Sequence, residues 1–166
     1  MKNEQVIGKH GEQTARSVLH GLGLEMIEKV GTPVRLIPVA QRISRNDPRA
    51  AYHVIFGEKV AGDHRAMFPD GRSILIEVKT ILDRYLQWGD LREHQPDKLT
   101  EHHQLNGLSL IVWVHDTGVY VMRWPIEGFG PRRSIAPHQA AIHHDNTTTY
   151  IQACLERIKQ DESRFE

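Results

Sequence analysis

The sequence predicts a mixed α/β domain built around one β-sheet, and three observations carry that expectation. Residues 73–79, Ser-Ile-Leu-Ile-Glu-Val-Lys, are dense in β-branched and aliphatic side chains, as a strand requires. Residues 110–114 and 119–124 form two more apolar runs, separated by the turn residues Asp116-Thr117-Gly118, a hairpin signature. Between and around these runs lie segments whose apolar residues recur at helical spacing. The chain has 166 residues, within the range of about 100–200 that one domain usually occupies.

Taken in order, residues 4–22 predict a first helix, with Val6, Ile7, Ala15, Val18, Leu19 and Leu22 on one face. Gly21 and Gly23 end it. Residues 26–39 read as extended, interrupted by Gly31-Thr32-Pro33. Residues 38–51 are polar and arginine-rich, and Asn46-Asp47-Pro48 is a strong turn signal, so this part reads as a loop or arm. Strand pieces are expected around Val54-Ile55-Phe56 and Lys59-Val60-Ala61, and Pro69-Asp70-Gly71 supplies a turn before the central strand. Pro96 suits the first turn of a helix, which runs to about Leu105 and stops at Asn106-Gly107. After Trp124 the chain reads as loop until about Thr147, where Tyr150, Ile151, Cys154, Leu155 and Ile158 resume a helical period to about Ser163.

Composition excludes several classes. No apolar run approaches the ~18 residues of a membrane-spanning helix, and the N-terminal stretch lacks the apolar core of a signal peptide. One cysteine, Cys154, excludes an intrachain disulfide and a multi-cysteine zinc site. The expectation is a cytoplasmic protein with no membrane partner. Eleven histidines include the pairs His102-His103 and His143-His144, but adjacent helical residues diverge and do not grip one ion together. No Gly-x-Ser-x-Gly, Walker-type or dinucleotide-binding motif is present. Lys+Arg and Asp+Glu both total 21, so no global basic field announces a nucleic acid. Locally the balance differs: residues 34–56 carry Arg35, Arg42, Arg45 and Arg49 against Asp47 alone. Solvated charges on an ordinary face would also explain that cluster.

The chemistry concentrates on the central strand. Side chains alternate there, so Ile74, Ile76 and Val78 share one face while Leu75, Glu77 and Lys79 share the other. Glu77 and Lys79 beside an apolar core need partners or a metal. Asp63, 14 residues earlier and before a turn, is placed for a hairpin to return it beside Glu77. Two carboxylates and a lysine at a sheet edge suit a hard cation such as Mg²⁺. A plain Glu77–Lys79 ion pair is the other reading of the same pattern. Glu12 on the first helix would reach such a metal or turn to solvent. The amide of Gln95, where the Pro96 helix begins, would bond Lys79, a water or a phosphate, or serve as a cap.

Gly62-Asp63, Ile76-Glu77-Val78-Lys79 and the preceding helical Glu12 together resemble the PD-(D/E)XK nuclease superfamily. Glu28-Lys29-Val30-Gly31-Thr32-Pro33-Val34, His94-Gln95, Gly107-Leu108-Ser109-Leu110-Ile111-Val112 and Val119-Tyr120-Val121 resemble the RecU family of Holliday junction resolvases, over roughly residues 8 to 122. The resemblance implies a restriction-endonuclease-like mixed sheet flanked by helices, with a protruding basic arm at about 38–56. It implies a homodimeric nuclease, dependent on Mg²⁺ or alternatively Mn²⁺, that cuts four-way DNA junctions. Asp63, Glu77 and Glu12 would be metal ligands, Lys79 would orient or activate water, and Gln95 would assist. Arg35, Arg42, Arg45 and Arg49 would contact DNA. Ala61 and Gly62 depart from the family, which usually has threonines ahead of the aspartate, and the chain lacks the family's net basic charge. Two alternatives stay open: another nuclease of the superfamily acting on duplex or flapped DNA, and a DNA-binding module without catalysis.

Overall fold

The computed structural model of the chain describes residues 2–24, 27–30, 34–38, 52–56 and 62–163. Its elements are α1 (Lys2–Gly21), β1 (Glu28–Lys29), β2 (Val34–Pro38), β3 (Tyr52–Phe56), β4 (His64–Met67), β5 (Ser73–Thr80), β6 (Leu86–Gln87), α2 (His94–Gln104), β7 (Leu108–His115), β8 (Gly118–Arg123), β9 (Ser134–Ile135) and α3 (Pro137–Glu162). A mixed five-stranded sheet, in the order β1-β4-β5-β7-β8, is flanked by helices. The expected α/β class therefore holds.

The chain divides into two compact units, residues 30–60 and the remainder. Within the smaller one, β2 and β3 form an antiparallel ribbon, Val34 opposite Phe56 and Pro38 opposite Tyr52. Arg42, Arg45 and Arg49 lie outside the described residues, as does the strand piece expected at Lys59-Val60-Ala61; Arg35 sits on β2.

In the larger unit, β4 and β5 form an antiparallel hairpin across the Pro69-Asp70-Gly71 turn, closed by Gly71 N–H donating to the carbonyl of Phe68 (2.9 Å). β5 and β7 run parallel, Ile76 beside Leu110 and Lys79 beside Trp113. A parallel pair needs a crossover connection, and α2 lies in it. β7 and β8 then close the expected hairpin, with His115 opposite Gly118.

The alternation expected on β5 divides the core in two. Ile74, Ile76 and Val78 join Ala15 and Leu19 of α1, Leu110 and Val112 of β7, and Ile151 and Ile158 of α3. Leu75 lies on the opposite face with Leu99 of α2, Ile111, Trp113, Met122 and Trp124. Gly11 lets α1 approach the end of β5 closely: a Cβ there would stand 1.9 Å from Thr80 Oγ1. Among the described residues no helix is long and apolar enough to cross a membrane.

The last helix corrects the sequence expectation. It begins at Pro137, ten residues before Thr147, with proline at its first turn, where a missing N–H is harmless. Its early turns carry no apolar stripe because they bond a strand edge instead. His144 Nδ1 accepts from Val121 N–H (3.0 Å), and Thr147 Oγ1 accepts from Arg123 N–H (3.0 Å) while donating to the carbonyl of His143 (2.7 Å). Those bonds occupy the edge amides of β8 that would otherwise invite pairing with another strand. The period is visible only from Ile151 onward, where the helix covers apolar core.

Candidate active site

Glu77 is 2% exposed, so its charge is carried in an almost dry setting. Its Oε1 accepts from Gln95 Nε2 and pairs with Lys79 Nζ at 3.0 Å; its Oε2 accepts from the backbone N–H of Gly62 at 3.2 Å. Lys79 Nζ also donates to Gln95 Oε1 at 2.9 Å, and the N–H of Arg92 reaches the same amide oxygen at 2.8 Å. The Gln95 amide thus bridges both ends of the ion pair, accepting from the cation and donating to the anion. This is the sequence expectation that Gln95 bonds Lys79, with a contact to Glu77 in addition.

Asp63 sits where β4 begins. His64 pairs with Ile76, and Asp63 Oδ2 accepts from Val78 N–H at 2.8 Å, inside the Glu77–Lys79 segment. The hairpin does return Asp63 to the strand that carries Glu77. Burial, and then the charge of Asp63, push the Glu77 carboxyl above its ordinary value; Lys79 and the Gly62 N–H pull the other way. Two carboxylates against one ammonium leave surplus negative charge here. That surplus, with carboxylate oxygens as the donors, fits a hard divalent cation. Asp63 and Glu77 are the residues that would hold it. A cluster of three or more potential ligands is not found among the described residues.

Glu12 does not complete such a cluster. It lines one cleft with Asp63, Val78, Thr80, Asp83 and Arg84, about 700 Å³ in volume, but its Oε2 is taken by Lys29 Nζ on β1. The half-exposed helical acid found an ammonium before a shared ion. Asp83, on the same cleft, was not singled out from the sequence, because a lone acid in a polar loop carries no pattern.

Gly62, quoted from the sequence only as the neighbour of Asp63, has a bond to Glu77 that was not foreseen, and His64 was not singled out at all. Gly62 has φ +86°, and a Cβ there would lie 2.4 Å from Leu75 Cδ1, so a side chain is excluded where the N–H must face Glu77. His64 is 4% exposed, its Nδ1 is buried without a hydrogen-bond partner among the described residues, and burial lowers its pKa against the opposing charges of Asp63 and Glu12.

His102, from the His102-His103 pair, bonds two serines of the sheet. Ser109 Oγ donates to the carbonyl of Leu99 (2.8 Å), so His102 Nδ1–H donates to Ser109 Oγ (2.8 Å) and its Nε2 accepts from the Ser73 hydroxyl (2.8 Å). No protein-family model matches the chain, and no curated protein matches it.

Proposed function

We propose that this chain is a metal-dependent DNA endonuclease of the PD-(D/E)XK type, a cytoplasmic resolvase similar to the RecU family that cuts four-way junctions during recombination and repair. The observation that carries the reading is the buried Glu77–Lys79 pair, bridged by Gln95, with Asp63 bonded to the same strand. A solvated ion pair would be the alternative, but Glu77 is 2% exposed and Lys79 14% exposed at its side chain, and neither is a surface group. Exposed pairs stabilise little; a buried one persists only with its remaining valences satisfied, as the amide and Gly62 do here.

In this mechanism Asp63 and Glu77 would hold Mg²⁺, or Mn²⁺ in its place. When bound, the ion supplies Lewis-acid neutralisation of charge developing on the phosphate and lowers the pKa of water. The chain's own groups do the rest. Lys79 presents N–H donors toward the site and orients the attacking water. Gln95 fixes the direction of the ammonium, because its Oε1 accepts from Nζ while its Nε2 holds Glu77 in place. Gly62 anchors the second carboxylate oxygen of Glu77. A restriction-endonuclease-like arrangement and a homodimer complete the reading: two matched cuts in a two-fold junction call for two symmetric sites. Residues 38–56 would form the basic arm, and Arg35, Arg42, Arg45 and Arg49 would contact backbone phosphates.

The test is cleavage of a labelled four-way junction beside a matched linear duplex, in Mg²⁺ and in EDTA, with Asp63→Ala protein in parallel. Paired, metal-dependent cuts confined to the junction and absent from the variant are expected. Equal cutting of both substrates would keep the nuclease and remove the junction selectivity. Binding without cutting in either metal would return the chain to a DNA-binding module.

A further inference from the structure

Away from the Glu77 site, β8, the loop after it and α3 enclose two adjoining hollows of about 450 and 440 Å³, which share Glu127, Ile142 and His143 as walls. Arg132 and Arg133 line the first, and Arg123 with Tyr150 lines the second. Glu127 is the acid common to both; among the described residues none of the three guanidiniums is paired with a carboxylate. The Arg123 guanidinium carbon lies over the Tyr150 ring, 4.5 Å from its centroid, a cation–π contact that uses the ring face and no carboxylate.

The loop that carries Arg132 and Arg133 is held firmly. Arg132 has φ +63°, a left-handed conformation that non-glycine residues seldom adopt. Arg133 N–H donates to the carbonyl of Gly130 (3.0 Å), its own carbonyl accepts from Trp88 N–H (3.0 Å), and β9 pairs with β6 immediately after. Trp88 in turn packs on Trp124 and Phe129. Such an outlier, fixed by surrounding structure and directing a cation, is where a binding role is expected. The loop is linked to the proposed active site through β9, which pairs with β6. β6 follows directly on Ile81–Arg84, which line the cleft beside Asp63.

We infer that this groove holds the sugar-phosphate backbone of DNA away from the scissile bond, with Arg123, Arg132 and Arg133 on phosphates and the exposed Ile142 against the sugars. The inference rests on the nuclease reading above and adds to it a second contact surface outside the basic arm. Planar guanidiniums not paired with protein carboxylates match phosphate oxygens, and three of them lining two adjoining hollows match a polyanion better than a single small anion.

The experiment is fluorescence-anisotropy binding of a labelled four-way junction in EDTA across a salt series, for wild type and for Arg132→Gly/Arg133→Gln. Glycine suits φ +63°, so the backbone is not the quantity altered. Each phosphate contact contributes about 0.9 to the slope of log K against log salt, so the double variant is expected to lose about 1.8 of that slope. Its affinity should fall on the order of tenfold near 50 mM salt, with the gap narrowing as salt rises. Arg132→Lys/Arg133→Lys should retain the wild-type slope; a slope lost with lysine too would indicate altered packing and overturn the inference. An unchanged Kd and slope in the glycine/glutamine variant, beside wild-type cleavage that Asp63→Ala abolishes, would overturn the groove and leave the nuclease standing. Wild-type protein that neither binds nor cuts DNA would remove the nuclease reading and the groove's ligand with it.

Discussion

Both ends of α2 dock on the sheet through polar side chains, and they do so in opposite ways. At its C-terminal end His102 bonds Ser109 and Ser73, with every donor matched to an acceptor and no formal charge. Burial keeps that imidazole's pKa below its ordinary value, in agreement with a neutral ring. At its N-terminal end Gln95 meets Glu77 and Lys79, with Asp63 bonded one residue away on β5. Here the hydrogen bonds are also made, yet the charges do not cancel. The difference marks one end as closed and the other as open: a neutral network needs nothing more, whereas a buried network holding two carboxylates and one ammonium is where the proposed cation would act.

The sharpest way to break this contrast is to remove the cation at the ionic end. Lys79→Ala should lower junction cleavage by about 10²–10⁴-fold, the range lost with a positioned proton-transfer or water-orienting group. Retained cleavage, read in single-turnover assays, would make Lys79 a structural counter-ion. Gly62→Ala should come next. The left-handed backbone and the Leu75 contact predict a loss of about 1–3 kcal/mol in chemical denaturation, together with reduced cleavage as the backbone N–H of residue 62 is displaced from Glu77.

A matched pair compares the two ends directly. Gln95→Leu and His102→Phe each strand a buried polar partner, and each should destabilise the fold by about 1–3 kcal/mol. Only Gln95→Leu should slow cleavage at saturating Mg²⁺; equal effects on cleavage would erase the distinction between the ends. The smallest effect is a pH dependence. Because the folded protein raises the Glu77 pKa, the native state holds that proton more tightly than the unfolded chain does. Stability from this group is therefore present below the ordinary value of 4.5 and declines as pH climbs through the raised value. In EDTA, Glu77→Gln should gain in Tm relative to wild type across that window, and a difference constant with pH would contradict the assigned environment.

Those contrasts also explain what could be read in advance. The two faces of β5 and the β7–β8 hairpin were legible because strand alternation and turn chemistry are local rules, whereas the sequence left the Gln95 amide open between Lys79, a water, a phosphate and a cap. Asp63 could be placed beside Glu77 because a tight turn lies between them. The start of α3 was not legible, since Thr147 and His144 serve the edge of β8 through hydrogen bonds and leave no apolar period. The Lys29 partner of Glu12 was not legible for a related reason. Which partner a helical acid finds depends on a neighbour 17 residues away, Lys29, set by tertiary packing alone.

The parallel pairing of β5 with β7 has a consequence for the order in which the site comes together. β4 and β5 are neighbours in sequence and can zip early, bringing Asp63 to Glu77 at little loop-closure entropy. Gln95 lies in the crossover, and its position is fixed only when α2 and β7 have docked, a non-local step of the kind that slows folding. A nascent chain therefore carries its acids before it carries the amide that aims the lysine. On the proposed nuclease reading, the ability to cut would arrive only with the last closure of the sheet, after the two carboxylates have already come together.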